Sequence, residues 1–363
     1  MKKRNLSPRI SRREFVKCAG GALGASAVLA RAPLFLHADD KAGGKAPVLG
    51  NGPHTYEALH GWAQIPDGMR FGNTHMVQED SQGRIFIHHQ NGAPDSVFIF
   101  DPDGKFIKSW GAQWRVGAHG MQLRREGNDE FLYLATTKQH QVVKTTLDGE
   151  QLFVLDYPKD ADGAAGDRCY KNEQKYLPTN IAFAPGGDFY VADGYGSYFI
   201  HRYGKDGKYI STFGGPGTDD GVLQEPHGIW CDTRGPNPMI LVADRKNERL
   251  QWFDLDGSHL ETLRPPEDKA YRRPCHFDQR GSELLLPGLD GRVSILDKDN
   301  QQIVILGDND NPQQRGKNNI PAADRKPGVF VSPHGCLWDR AGNIYITEWL
   351  TDGRVIKLRK VDA

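Results

Sequence analysis

The sequence predicts an all-β chain folded as a six-bladed β-propeller. Three observations lead there. A phrase of four short strands separated by Asp/Gly turns recurs six times, and its copies begin 44 to 61 residues apart, the interval of propeller blades. Turn-forming residues are abundant, with 42 Gly and 22 Pro in 363 residues, which argues against a helix bundle. The hydrophobic fraction of 38% nevertheless suffices for a core, which argues against disorder.

Residues 1–38 hold eight Lys/Arg and one Asp/Glu. Ser11-Arg12-Arg13-Glu14-Phe15-Val16-Lys17 stands before an apolar, small-residue run over 18–36 that is broken by Arg31 and Pro33. This pattern predicts a twin-arginine export signal rather than a membrane span, hence a periplasmic or secreted mature protein with no membrane-spanning segment. Of 46 basic and 46 acidic residues, 38 and 45 remain after residue 38, a charge of about minus seven that excludes a nucleic-acid footprint. Residues 39–53, rich in Gly, Ala and Lys, read as a linker, and 54–363 as the propeller.

The phrase is clearest from Pro178 to Phe213, with Pro185-Gly186-Gly187 and Lys205-Asp206-Gly207 as turns. It returns at Pro226-His227-Gly228 and Pro333-His334-Gly335, and more loosely at Thr74-His75-Met76, Ala118-His119-Gly120 and Cys275-His276-Phe277. The last copy has about three strands, so residues 56–65 are expected to supply the outer strand of the sixth blade and close the ring. The polar stretches 156–175 and 308–326 read as loops over one face. Cys169, Cys231, Cys275 and Cys336 could pair in an oxidising compartment, with no connectivity deducible.

The first strand of each blade lines the central channel, which places His75, His119, Asn180, His227, His276 and His334 on one ring. A single histidine there reads as a strand cap. His119, His227 and His334, in alternate blades and each followed by Gly, instead match three ligands of a catalytic zinc with one open position. The second strand returns to the same end, bringing His89, Tyr195, Arg245 and Glu348 within reach as further channel residues. Asp193 and Asp244, also at that end, read as turn carboxylates. The substrate expected at such a channel mouth is a small or peptide-like molecule.

At these residues the sequence resembles peptidyl-α-hydroxyglycine α-amidating lyases, six-bladed propellers of NHL-type repeats. The resemblance is carried by Pro178-Thr179-Asn180, Ala192-Asp193-Gly194-Tyr195, Pro226-His227-Gly228 and Ala243-Asp244-Arg245-Lys246-Asn247, and extends weakly over 72–358. It implies Zn2+ on His119, His227 and His334, with Tyr195 as catalytic tyrosine and Arg245 as a substrate arginine. The implied reaction cleaves the N–Cα bond of a hemiaminal to an amide and glyoxylate. His88-His89-Gln90 stands where the family has a second arginine. Gly335 replaces the aspartate that supports a Ca2+ ion, Ser332 a methionine and Gly196 a cysteine, so the resemblance does not carry over a calcium site. A noncatalytic NHL-repeat binding module and a propeller lactonase or other hydrolase are the alternative readings.

Overall fold

The computed structural model describes residues 45–162 and 169–361. The expected export signal and residues 39–44 lie outside them. Among the described residues there are 25 strands in six antiparallel sheets, five of four strands and one of five. The fold is therefore the expected six-bladed β-propeller. No helix of the described residues is long and apolar enough to cross a membrane.

In each blade the innermost strand begins at or beside the repeat position read from the sequence. These strands are Asn73–Glu79, Ala118–Glu126, Asn180–Phe183, Pro226–Asp232, Asp278–Arg280 and Pro333–Trp338. The third blade runs outward through Phe189–Ala192 and Phe199–Tyr203 to Tyr209–Gly214. Second and third strands are almost continuously buried, as in Ile85–Gln90, Met239–Asp244 and Arg249–Phe253, because both faces of a blade are covered by its neighbours.

Six apolar clusters fill the six interfaces between blades. One joins Leu285, Val293 and Ile295 of the fifth blade to Trp338, Ile344 and Ile346 of the sixth. Another joins Val77, Ile87 and Phe98 of the first blade to Leu337 and Tyr345 of the sixth. Each fully buried Leu, Ile or Phe adds about 1.5–3 kcal/mol, and these clusters hold the inner strands in register around the axis.

The ring closes through His54–Leu59, which pairs antiparallel with Arg354–Lys360, as expected for the outer strand of the sixth blade. Beyond it Val48–Asn51 adds a fifth strand, where the composition suggested linker. An open sheet edge offers unpaired amides and carbonyls, and satisfying them outweighs the weak strand propensity of a Gly-rich segment. The two polar insertions also do more than cover a face. Tyr170 from the first and Tyr176 just after it are buried in the third blade's interface, and Asn309 at the start of the second donates to the Phe330 carbonyl beyond its end.

Cys169, Cys231, Cys275 and Cys336 are free thiols in this structure, the last three buried.

Candidate metal centre and channel site

Four histidines of the ring, His75, His119, His227 and His334, gather on the axis. Their ring centroids lie 4.5 Å apart for His75–His119, 4.6 Å for His75–His334, 4.8 Å for His119–His227 and 4.6 Å for His227–His334. All four are buried. Each of them sits at a β-bulge. Pro226 pairs with Asp244 and Gly228 with Ala243, so His227 has no partner across the ladder. The same slip occurs around His334, around His75, and between Ala118 and Met121 around His119. A bulge turns the extra residue out of the pleat, here toward the axis. Asn180 sits in an unbroken ladder opposite Ala192.

Three of the four share a second feature. Nδ1 of His119 lies 2.7 Å from the Thr179 carbonyl, Nδ1 of His227 lies 2.8 Å from that of Cys275, and Nδ1 of His334 lies 3.0 Å from that of His75. A carbonyl only accepts, so each Nδ1 carries the ring proton and each Nε2 is left with a bare lone pair. Fixing a histidine tautomer by its far nitrogen is the arrangement that supports metal ligation. The glycine after each histidine is required by the same contact. A Cβ on Gly120, Gly228 or Gly335 would lie 2.4, 2.5 or 2.2 Å from that same carbonyl oxygen.

Burial drives all four imidazoles well below their ordinary protonation range, and their neighbours' charges add to the effect. They are neutral at neutral pH, the form that ligates.

The ring nitrogens lying within 4.8 Å of one another as a set of three belong to His75, His119 and His334. Two of the three expected ligands are therefore in that set, joined by His75, while His227 packs its ring on both. The hydroxyl of Tyr195 fills the space beside His227. It is 3.0 Å from Nε2 of His227 and 3.2 Å from Nε2 of His119, and it accepts a hydrogen bond from Arg245 Nη2 at 3.1 Å. Tyr195 is 37% exposed, because its ring borders the channel mouth while its hydroxyl is enclosed. Burial raises its pKa and Arg245 opposes the rise. Burial works against the Arg245 charge as well, but Tyr195, Cys275 and Glu225 outweigh it and hold the guanidinium charged.

Glu225, which forms an ion pair with Arg245, was not anticipated. It stands two residues before His227 with a left-handed backbone (φ 58°), and nothing in its local sequence marks it.

Four expected channel residues take other roles. His276 contacts Asn180 Nδ2 at 2.7 Å and Gln122 Nε2 at 3.2 Å, so His276 and Asn180 form a separate buried polar group. His89 packs edge-on against Phe71 and Phe98, because alternation along Ile85–Gln90 sends it to the blade interface. Glu348 is fully buried and accepts the amides of Val331 (2.6 Å) and Ser332 (3.0 Å), besides pairing with Arg354. Asp193 and Asp244 do the same for Leu177 (2.6 Å) and Gln224 (2.7 Å). In each case the carboxylate clamps the amide three residues before a ring position, which is why Glu348 is a staple of its blade.

No family model matches the chain. Among curated proteins it is 30% identical over 206 residues to peptidyl-glycine alpha-amidating monooxygenase A of Xenopus laevis, covering 53% of this chain and 21% of that protein. It is 28% identical over 302 residues to peptidyl-alpha-hydroxyglycine alpha-amidating lyase 1 of Drosophila melanogaster, covering 77% and 50%. With NHL repeat-containing protein 3 of Homo sapiens it shares 25% over 246 residues, covering 65% and 68%. The chain thus spans about a fifth of the frog protein and half of the fly one. Among solved structures, a gluconolactonase from Xanthomonas campestris superposes with a TM-score of 0.55 at 14% identity, covering 86% of this chain and 96% of that one. A virginiamycin B lyase from Staphylococcus aureus gives 0.53 at 12%, covering 84% and 100%. At such identities these neighbours share the fold alone.

Proposed function

We propose that the chain is an exported, zinc-dependent lyase of the amidating type, cleaving the N–Cα bond of a peptidyl-α-hydroxyglycine or a related hemiaminal. The observation that carries this reading is the Tyr195 hydroxyl, set within 3.2 Å of two bare imidazole nitrogens and one guanidinium. The amidating relatives support it from sequence.

His119, His227 and His334 are the residues that would hold zinc, which when bound would act as a Lewis acid toward the substrate hydroxyl. The donor chemistry fits, since all three are buried neutral imidazoles with Nδ1 held by a carbonyl: His119 and His334 share a set of ring nitrogens within 4.8 Å with His75, and Nε2 of His227 meets the same Tyr195 hydroxyl as that of His119. Gly335 offers no carboxylate for a calcium ion beside it.

The chain's own groups account for the protons. The substrate hydroxyl gives up its proton through Tyr195 as its carbon–oxygen bond becomes a carbonyl. The N–Cα electron pair passes to nitrogen, which takes up one proton, and the products are an amide and glyoxylate. Arg245 orients the phenol and faces the substrate carboxylate, with Glu225 fixing its position. That Glu225 already balances the Arg245 charge favours a second substrate class, hemiaminals without the carboxylate. Export through the twin-arginine signal would place this chemistry in the periplasm or outside the cell.

The test is glyoxylate release from an α-hydroxyglycine peptide by purified, zinc-loaded protein. No release at any zinc loading, with the carboxylate-free analogue equally inert, would leave a noncatalytic binding propeller or a hydrolase.

A further inference from the structure

We infer that His75 is a fourth protein ligand of the axial cation, so that the centre is built from four imidazoles rather than three. The inference rests on the cation reading proposed above and concerns a residue that this reading leaves unused.

Three observations carry it. First, His75 sits at the same kind of β-bulge as His119, His227 and His334, and so is turned to the axis by the same device. Second, its Nδ1 lies 3.4 Å from Nε2 of His334. Nitrogens on a tetrahedral ion with bonds of about 2.0–2.1 Å are separated by about 3.3–3.4 Å, so this spacing already matches one edge of such a site. Third, its Nε2 is buried without a hydrogen-bond partner, although His75 is only 2% exposed. No carbonyl fixes the far nitrogen of His75, which leaves Nδ1 as the atom facing the cluster. His276, the other ring histidine not followed by Gly, also lies at a one-residue slip, between the Pro274–Gly288 and Asp278–Leu285 pairs, but both of its ring nitrogens are engaged, by Asn180 and Gln122.

A fourth imidazole changes what the centre can do. Zinc held by four protein ligands would have no open position, so a substrate hydroxyl would reach it only if His75 yielded its place or shared the ion. The residue would gate access to the ion, and four nitrogen donors would also suit copper, nickel or iron.

The backbone carbonyl of His75, which orients His334, survives any side-chain change, so His75→Phe keeps both that contact and the ring packing. The experiment strips purified wild-type and His75→Phe protein with a chelator, reloads each with Zn2+, and measures affinity by chelator competition and imidazole count by X-ray absorption. Expected are four imidazoles in the wild type and three in the variant, with affinity lowered by at least the roughly 10–100-fold typical of losing an outer-shell partner. Three imidazoles in the wild type, or equal affinity in the variant, would overturn the inference alone. A wild type that takes up no zinc would overturn it together with the cation reading. His75-dependent binding without glyoxylate release would uphold it and count against the proposed reaction only.

Discussion

Tyr195 and His227 meet through one lone pair, the phenol oxygen 3.0 Å from Nε2. Because Nδ1 of His227 is committed to the Cys275 carbonyl, the hydroxyl must be the donor. The same hydroxyl stands 3.2 Å from Nε2 of His119, whose tautomer is fixed in the same way by Thr179. One proton cannot serve both nitrogens, so the centre of the cluster lacks positive charge while Arg245 supplies it at the rim. A cation held by these nitrogens would free the phenol for proton transfer.

Tyr195→Phe therefore separates binding from chemistry. Zinc affinity should stay within a few-fold of wild type, whereas glyoxylate release should fall by about 10²–10⁴, the usual contribution of a positioned proton-transfer group. Metal titration and a steady-state assay on one preparation check this. A matching loss of zinc affinity would reassign the phenol to holding the imidazoles.

The His-Gly pairs make a second prediction. A methyl group on Gly228 would lie 2.5 Å from the Cys275 carbonyl oxygen and 2.8 Å from His276 Cα, both backbone atoms that cannot swing away. Gly228→Ala should cost about 1–3 kcal/mol in urea melts and also weaken zinc binding, since it displaces the carbonyl that orients His227. Gly186→Ala, where a Cβ meets nothing within 4 Å, should stay within about 0.5 kcal/mol of wild type.

Much of this was legible in sequence, for reasons that also mark the limit. The ring positions recur with the blades, so His119, His227 and His334 could be picked out by their alternate spacing and following Gly. The turn roles of Asp193 and Asp244 follow from local chemistry. The bulges do not, because register is a property of two strands and is absent from either alone. His75 and His276 look alike in sequence, each at a ring position without a Gly after it. What separates them is side-chain contact: His75 meets His334 on the axis, whereas both ring nitrogens of His276 are taken by Asn180 and Gln122. Glu225 and the orienting carbonyls approach from neighbouring blades or turns, and no spacing encodes them.

Buried neutral histidines also set an acid limit. Burial lowers the pKa values of His89, His201 and His276 from near 6.5 to about 3. Below pH 6.5 the unfolded chain takes up protons that the folded chain refuses, so stability is full above that pH and erodes as pH falls toward 3. Each histidine contributes a slope of about 1.4 kcal/mol per pH unit, about 4 for the three together. Urea midpoints of chelator-treated protein should be flat above pH 7 and fall steeply below pH 6. A flat profile down to pH 4.5 would mean that these rings are protonated in the folded state.

Glu348 gives the sharpest division between fold and site. Its carboxylate holds the amides of Val331 and Ser332 just ahead of His334 and pairs with Arg354, whose side chain is 12% exposed. Glu348→Gln keeps an acceptor for the amides but leaves the Arg354 charge without its partner in a buried setting, which should cost about 3–5 kcal/mol. The loss should appear in urea unfolding. At a denaturant-free temperature where the variant remains folded, zinc stoichiometry should be one per chain, as in wild type, since the imidazoles do not touch this carboxylate. A variant that stays fully stable but binds no metal would show that Glu348 belongs to the centre after all, and that the blade is stapled by Arg354 and its neighbours without it.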